Sequence, residues 1–169
     1  MSDYIRSTRE CFVSQLHPEL LQALQSYFQE HSLGNLQADV LTCCETVSRR
    51  KNDRKPISWL DGRPDTTTYT GLVLTSQWLI WAHYGDLSGT QVHSANLHEI
   101  QAEFYTPLLT RDAGLRIVGF VGDDNTHVRG YIGMGKDPAA EKFCEEVRQA
   151  ILKANPPTTK DVFFKWLSR

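Results

Sequence analysis

Apolar and polar positions along the chain change their period several times, and each change marks an element. From Pro18 to Phe28, Leu20, Leu24 and Tyr27 fall on one helical stripe. Pro18 suits a first helical position and Gly34 can end the helix. From Asp39 the period drops to two. Val40, Thr42, Cys44 and Thr46 alternate with Leu41, Cys43, Glu45 and Val47, which predicts a strand. The polar stretch RRKNDRKPISWLDGRPDTT, with its prolines and glycine, predicts a long loop. Tyr69–Leu74 and Trp78–Tyr84 then read as two strands joined at Thr75-Ser76-Gln77. Neither alternates strictly, so both faces are expected to be covered, one by an interior and the other by a flanking helix.

Gln91–Asn96 and Gln101–Tyr105 predict two further strands, separated by a dip at Leu97-His98-Glu99-Ile100. Leu115–Gly122 and His127–Gly135 form a hairpin around Asp123-Asp124-Asn125, with glycines 119, 122, 130 and 133 suited to sharp bends. Asp137 is expected to cap a helix that has Pro138 in its first position. Ala140, Phe143, Cys144, Val147, Ala150, Ile151 and Ala154 lie on its stripe, and Asn155-Pro156-Pro157 stops it. TTKDVFFKWLSR can close the chain as a short helix with Thr159 as cap. The expected fold class is α+β. Seven antiparallel strands make a bent sheet or partly open barrel, capped by the helix at 138–154, which plugs the open end. An N-terminal helical segment (1–35) precedes the domain (36–155), and a tail (156–169) follows it.

Composition narrows this picture a little. The chain has 169 residues, of which 40% are hydrophobic, enough for one domain with a real core. Lys+Arg 18 against Asp+Glu 20 leaves a net charge of −2, which gives no field for nucleic acid. Cysteines 11, 43, 44 and 144 form no C-x-x-C, and adjacent Cys43 and Cys44 point to opposite faces of a strand. Reduced thiols are therefore expected in place of a disulfide framework or zinc site. The start MSDYIRSTRECFVSQLH has no apolar signal core, and no apolar run approaches the roughly 20 residues that span a bilayer. A soluble, cytoplasmic protein is the expectation.

The segment Leu74-Thr75-Ser76-Gln77-Trp78-Leu79-Ile80-Trp81 resembles the L-T-x-x-R-L-I hairpin of the pleckstrin-homology-like superfold. Leu97-x-x-Ile100 and the closing helix add to the likeness, which is nearest to small bacterial PH-like and GRAM-like domains and spans residues 36 to 155. Trp78 stands where that family usually has a basic residue, so nothing that residue does carries over. The resemblance implies a binding or assembly module for phosphoinositides, peptides or proteins, without choosing among them.

Candidate chemistry is sparse. Gly130-Tyr131-Ile132-Gly133-Met134-Gly135-Lys136 matches G-x-x-x-x-G-K, yet Asp137 replaces the Ser or Thr that would hold magnesium, and the middle positions alternate as a strand. No nucleophile elbow, H-E-x-x-H or EF-hand pattern is present. Asp123-Asp124-Asn125 reads as a turn, and the six histidines are dispersed. The run Arg49-Arg50-Lys51-Asn52-Asp53-Arg54-Lys55 holds five of the 18 basic residues. Arg49, Arg50, Lys51, Arg54 and Lys55 are thus a candidate anion- or lipid-binding set, each worth about 1 kcal/mol near an anionic surface. A solvated loop, its charge diluted by Asp53, Asp61 and Asp65, is the plainer reading. The resemblance also implies a peptide groove between Gln101–Tyr105 and the helix face near Phe143 and Val147. Phe163, Phe164, Trp166 and Leu167 form an aromatic patch for a partner, or pack back on the barrel. Trp59 reads as an anchor for its loop.

The expected function is a non-enzymatic binding or scaffold module that recognises a protein or associates with itself. The alternative is docking to anionic lipid or phosphate through residues 49–55. No cofactor, metal, nucleic acid or small-molecule substrate is expected.

Overall fold

The apolar density of residues 70–85 has a structural cause. The computed structural model describes residues 4–51, 65–106, 113–121 and 126–156. Among them the order is β1 (Tyr4–Glu10), α1 (Pro18–Glu30), β2 (Val40–Arg50), β3 (Thr67–Thr75), β4 (Trp78–Gly85), β5 (Gly89–Asn96), β6 (Ile100–Tyr105), β7 (Gly114–Val121), β8 (Thr126–Gly133) and α2 (Pro138–Ala154). All strand pairs are antiparallel, in a five-stranded sheet β1-β2-β3-β4-β5 and a three-stranded sheet β6-β7-β8. The fold is α+β, and no ladder joins the two sheets into a closed barrel among the described residues. No described helix is long and apolar enough to cross a membrane.

Residues of β3 and β4 feed two cores in alternation. Leu72, Leu74, Leu79 and Trp81 face the interior, where they meet Leu115, Ile117 and Ile132 of the second sheet and Ala140, Phe143, Cys144 and Val147 of α2. Val73, Ile80 and Ala82, with Cys43 of β2, face the other way and pack on Leu16, Leu20, Leu24 and Phe28 in and before α1. A side chain of this size is worth about 1.5–3 kcal/mol when fully buried, so each face needs its own cover. The flanking helix is α1, and α2 closes the interior.

Two details depart from the expectations. Every one of the seven expected strands is present, but an eighth, β1, occupies the segment read as helical alone. It runs antiparallel to β2 from Tyr4 opposite Arg50 to Glu10 opposite Cys44. Its sequence YIRSTRE is polar on both faces and buries only Thr8, so no apolar alternation announced it. Asp137 precedes α2 but makes no side-chain cap bond. Its carboxylate accepts the Thr8 backbone N–H at 2.7 Å. The Thr8 hydroxyl donates to the Met134 carbonyl and lies 2.7 Å from the Thr46 hydroxyl. The cap group has been diverted to fasten β1 to the β8–α2 junction, where Lys142 also pairs with Glu10 at 2.7 Å.

Glu45 fastens the other end of the N-terminal segment. Its buried carboxylate accepts from Arg9 Nη2 at 2.9 Å and from the His17 backbone N–H at 2.6 Å. These charge-assisted bonds offset the desolvation of the carboxylate. They also hold the start of α1 against the sheet, and Tyr27 adds a side-chain bond to Ser94 at 2.9 Å.

Gly119 of β7 lies opposite Ile100 of β6 with φ at +145°, a conformation that side-chain-bearing residues rarely adopt. A Cβ there would stand 2.2 Å from the Glu99 carbonyl oxygen. Gly119→Ala is therefore expected to lower unfolding stability by about 2 kcal/mol or more, read by chemical denaturation. A loss under about 0.5 kcal/mol would contradict this close approach.

Candidate functional site

β6 is an edge strand: it pairs with β7 on one side and with no described strand on the other. Ile100, Ala102 and Phe104 turn toward the core, while Gln101, Glu103 and Tyr105 are exposed. The C-terminal half of α2 runs beside its first residues. A groove of about 620 Å³ lies between them, lined by His98, Gln101, Ile151, Leu152 and Asn155 among others. Asn155 Nδ2 donates to the Leu97 carbonyl at 2.9 Å and so ties the helix end to the turn before β6. Leu152 is 48% exposed, an apolar side chain turned outward beside a sheet edge.

The strand expected to frame a peptide groove lines this cavity at its first residues, Ile100 and Gln101, and the helix residues named with it do not line it. Phe143 and Val147 are buried in the interior core. The middle of the stripe faces the core, so the groove takes its wall from the last turn, where partly buried Ile151 of the stripe is joined by Leu152 and Asn155. An apolar residue off the stripe, Leu152, was the available signal. On the opposite flank of α2 lies a second groove of about 560 Å³, lined by Leu41, Leu74, Glu145, Gln149 and Lys153 among others. Arg148 and Gln149 both bond the Glu145 carboxylate, at 2.7 Å each, and hold its pKa at about 2.

The first two members of the basic cluster are separated by the strand. β2 continues to Arg50, so Arg49 and Arg50 point to opposite faces of the sheet. Arg49 lies opposite Ile5 and Thr67, and Arg50 lies opposite Tyr4, its N–H donating to the Thr66 carbonyl at 2.9 Å. Lys51 follows, exposed. Arg54, Lys55 and Trp59, the turn Asp123-Asp124-Asn125, the expected C-terminal helix, and Phe163, Phe164, Trp166 and Leu167 lie outside the described residues.

The G-x-x-x-x-G-K match has no free cradle. Gly130 to Gly133 belong to strand β8, and the N–H groups of Met134 and Gly135 both donate to the Ala113 carbonyl, at 2.9 and 2.8 Å. No three His, Cys, Asp or Glu residues gather at metal-binding distances among the described residues.

Histidines do gather on the five-stranded sheet. His83 and His93 lie on adjacent strands with ring centroids 6.4 Å apart, and His93 also meets Trp81 at 5.6 Å. His83 Nδ1 lies 2.9 Å from the Thr70 hydroxyl. Comparison of the chain with family models, with curated proteins and with solved structures finds no match in any of the three.

Burial pushes the His83 pKa down, and the neighbouring His93 adds to it. The folded state therefore favours neutral His83. Its contribution to stability is complete above the unfolded value near 6.5 and is lost as pH falls below that. Thermal unfolding at pH 7 and pH 5 is expected to show a lower Tm at pH 5 in the parent chain. His83→Gln should shrink that difference, and an unchanged difference would remove His83 as its source.

Proposed function

We propose that this chain is a non-enzymatic binding module of PH-like build that takes an extended peptide along the outer edge of β6. The edge, unpaired among the described residues, with a groove between it and α2, carries this reading. A peptide added there makes main-chain bonds to β6, while alternate side chains point toward α2 and toward solvent. Each such bond contributes about 1 kcal/mol net. Backbone pairing alone is therefore weak, and selectivity falls to side chains seated beside Leu152, Ile151 and His98.

Peptide binding is favoured over anionic lipid because Arg49 and Arg50 diverge from the two faces of β2, and one flat surface cannot meet both. Self-association is the same chemistry with a second β6 as the added strand.

The test is selection of binders from a random peptide library on the full chain, followed by titration into isotope-labelled protein. Amide shifts are expected to concentrate at Ile100–Tyr105 and at residues 151–155, and Leu152→Glu should weaken binding about tenfold. Shifts confined elsewhere, or indifference to Leu152→Glu, would overturn the assignment. Co-sedimentation with phosphatidylserine vesicles, abolished by Arg49→Glu with Lys51→Glu, would transfer the function to the basic run. Concentration-dependent dimerisation with shifts on β6 would identify the peptide as a second copy.

A further inference from the structure

We propose that Cys11 and Cys43 form a two-electron redox site, a dithiol that closes to a disulfide when it meets an oxidised low-molecular-weight disulfide. Among the described cysteines all four are free thiols, and these two have their sulfur atoms 3.9 Å apart. The β1–β2 register ends with Glu10 opposite Cys44, and one further step sets Cys11 opposite Cys43. The Cys11 N–H donates to the Cys43 carbonyl at 3.2 Å, so the backbones are already paired at this point. Hydrogen-bonded residues opposite each other in an antiparallel pair have Cα atoms about 5.5 Å apart, inside the roughly 4.4–6.8 Å that a disulfide bridges. Closing the sulfur gap therefore takes side-chain rotation, with the strands left in register.

The two thiols differ in the way exchange chemistry requires. Cys11 is half-buried, just past the end of β1 and beside Phe12, which is 77% exposed. Cys43 is buried beneath it. The hydrogen bond from Cys43 lowers the Cys11 thiol pKa, and the Arg9 guanidinium lowers it further against the opposing effect of burial. Cys11 is the attacking thiolate and Cys43 the resolving thiol. Cys44 and Cys144 stay out of the exchange, since both sit in the interior core and burial raises their pKa values.

In the first step the Cys11 thiolate attacks one sulfur of the reagent, forming a mixed disulfide and releasing one thiolate. Cys43 then gives up its proton, and its sulfur attacks Cys11 Sγ, expelling the second reagent thiolate. Both leaving thiolates are protonated, so one reagent disulfide becomes two thiols, and two electrons pass to it from the protein. The new bond closes a loop that contains all of α1, fastening the helix that covers the outer face of β2–β4.

The test uses the full chain, reduced and then equilibrated with oxidised glutathione, unfolded in denaturant and blocked with iodoacetamide, and digested without reductant. Mass spectrometry is expected to find a Cys11–Cys43 cross-linked peptide, with Cys44 and Cys144 alkylated. Oxidation should raise Tm by about 5–10 °C. Cys43→Ala, which keeps the buried site apolar, should accumulate the glutathione mixed disulfide on Cys11, and Cys11→Ser should react with neither. Circular dichroism checks that each variant is folded. Alkylation of all four thiols after prolonged exposure would overturn the proposal, as would an unresolved mixed disulfide on Cys11 of the parent chain or a bond to any other cysteine.

Discussion

The middle strands of the five-stranded sheet are apolar on both faces, and that constraint organises everything around them. A sheet with one solvated face needs one cover. Here Leu72, Leu74, Leu79 and Trp81 need one core, while Cys43, Val73, Ile80 and Ala82 need another on the far side. The second sheet and α2 supply the first, and α1 supplies the second. Because α1 is joined to β2 by a loop, its position has to be enforced by specific bonds. Glu45 holding the His17 N–H and Arg9, and Tyr27 reaching Ser94, are those bonds. Burying a carboxylate is costly unless it is fully engaged, which is why Glu45 carries both a guanidinium and a backbone donor.

Filling both faces has a functional corollary. With both faces of those middle strands committed to packing, the proposed recognition falls to edges and to the flanks of α2. β1 is an edge strand, but its Thr8 N–H is taken by Asp137 and its hydroxyl by Met134 and Thr46. β6 has no comparable tie on its outer side among the described residues. β5 and β8 end their sheets as well, and the proposal for β6 rests on the groove it lines with α2. The Cys11–Cys43 pair belongs to the same economy, sitting where the N-terminal strand ends and the covering helix begins.

Much of the architecture was legible in the residues themselves. Period-two alternation marked β2, dense apolar runs marked β3 and β4, turn residues bounded the strands that follow, and Pro18 and Pro138 marked both helix starts, because these signals are local. β1 was hidden because an edge strand needs no apolar face, and YIRSTRE has none. Asp137 does hold the N-cap position, but its carboxylate bonds Thr8, because a short polar side chain before a proline serves either a helix end or a neighbouring strand. Spacing cannot choose between those partners. The groove was half legible. β6 could be named from its alternation, whereas Phe143 and Val147 were attractive for the same apolar character that buries them. Arg49 and Arg50 looked convergent as a string and diverge in space, since β2 extends through both.

The most direct test of the doubly covered sheet is a matched pair of polar substitutions on neighbouring residues of β4. Leu79 faces the interior and Ile80 faces α1, and both are fully buried. Chemical denaturation of Leu79→Ser and Ile80→Ser is expected to show comparable losses, about 2–5 kcal/mol each, since each removes a large apolar side chain from a packed core. If Ile80→Ser stays within about 0.5 kcal/mol of the parent while Leu79→Ser is crippled, the outer face is solvated and α1 does not cover it.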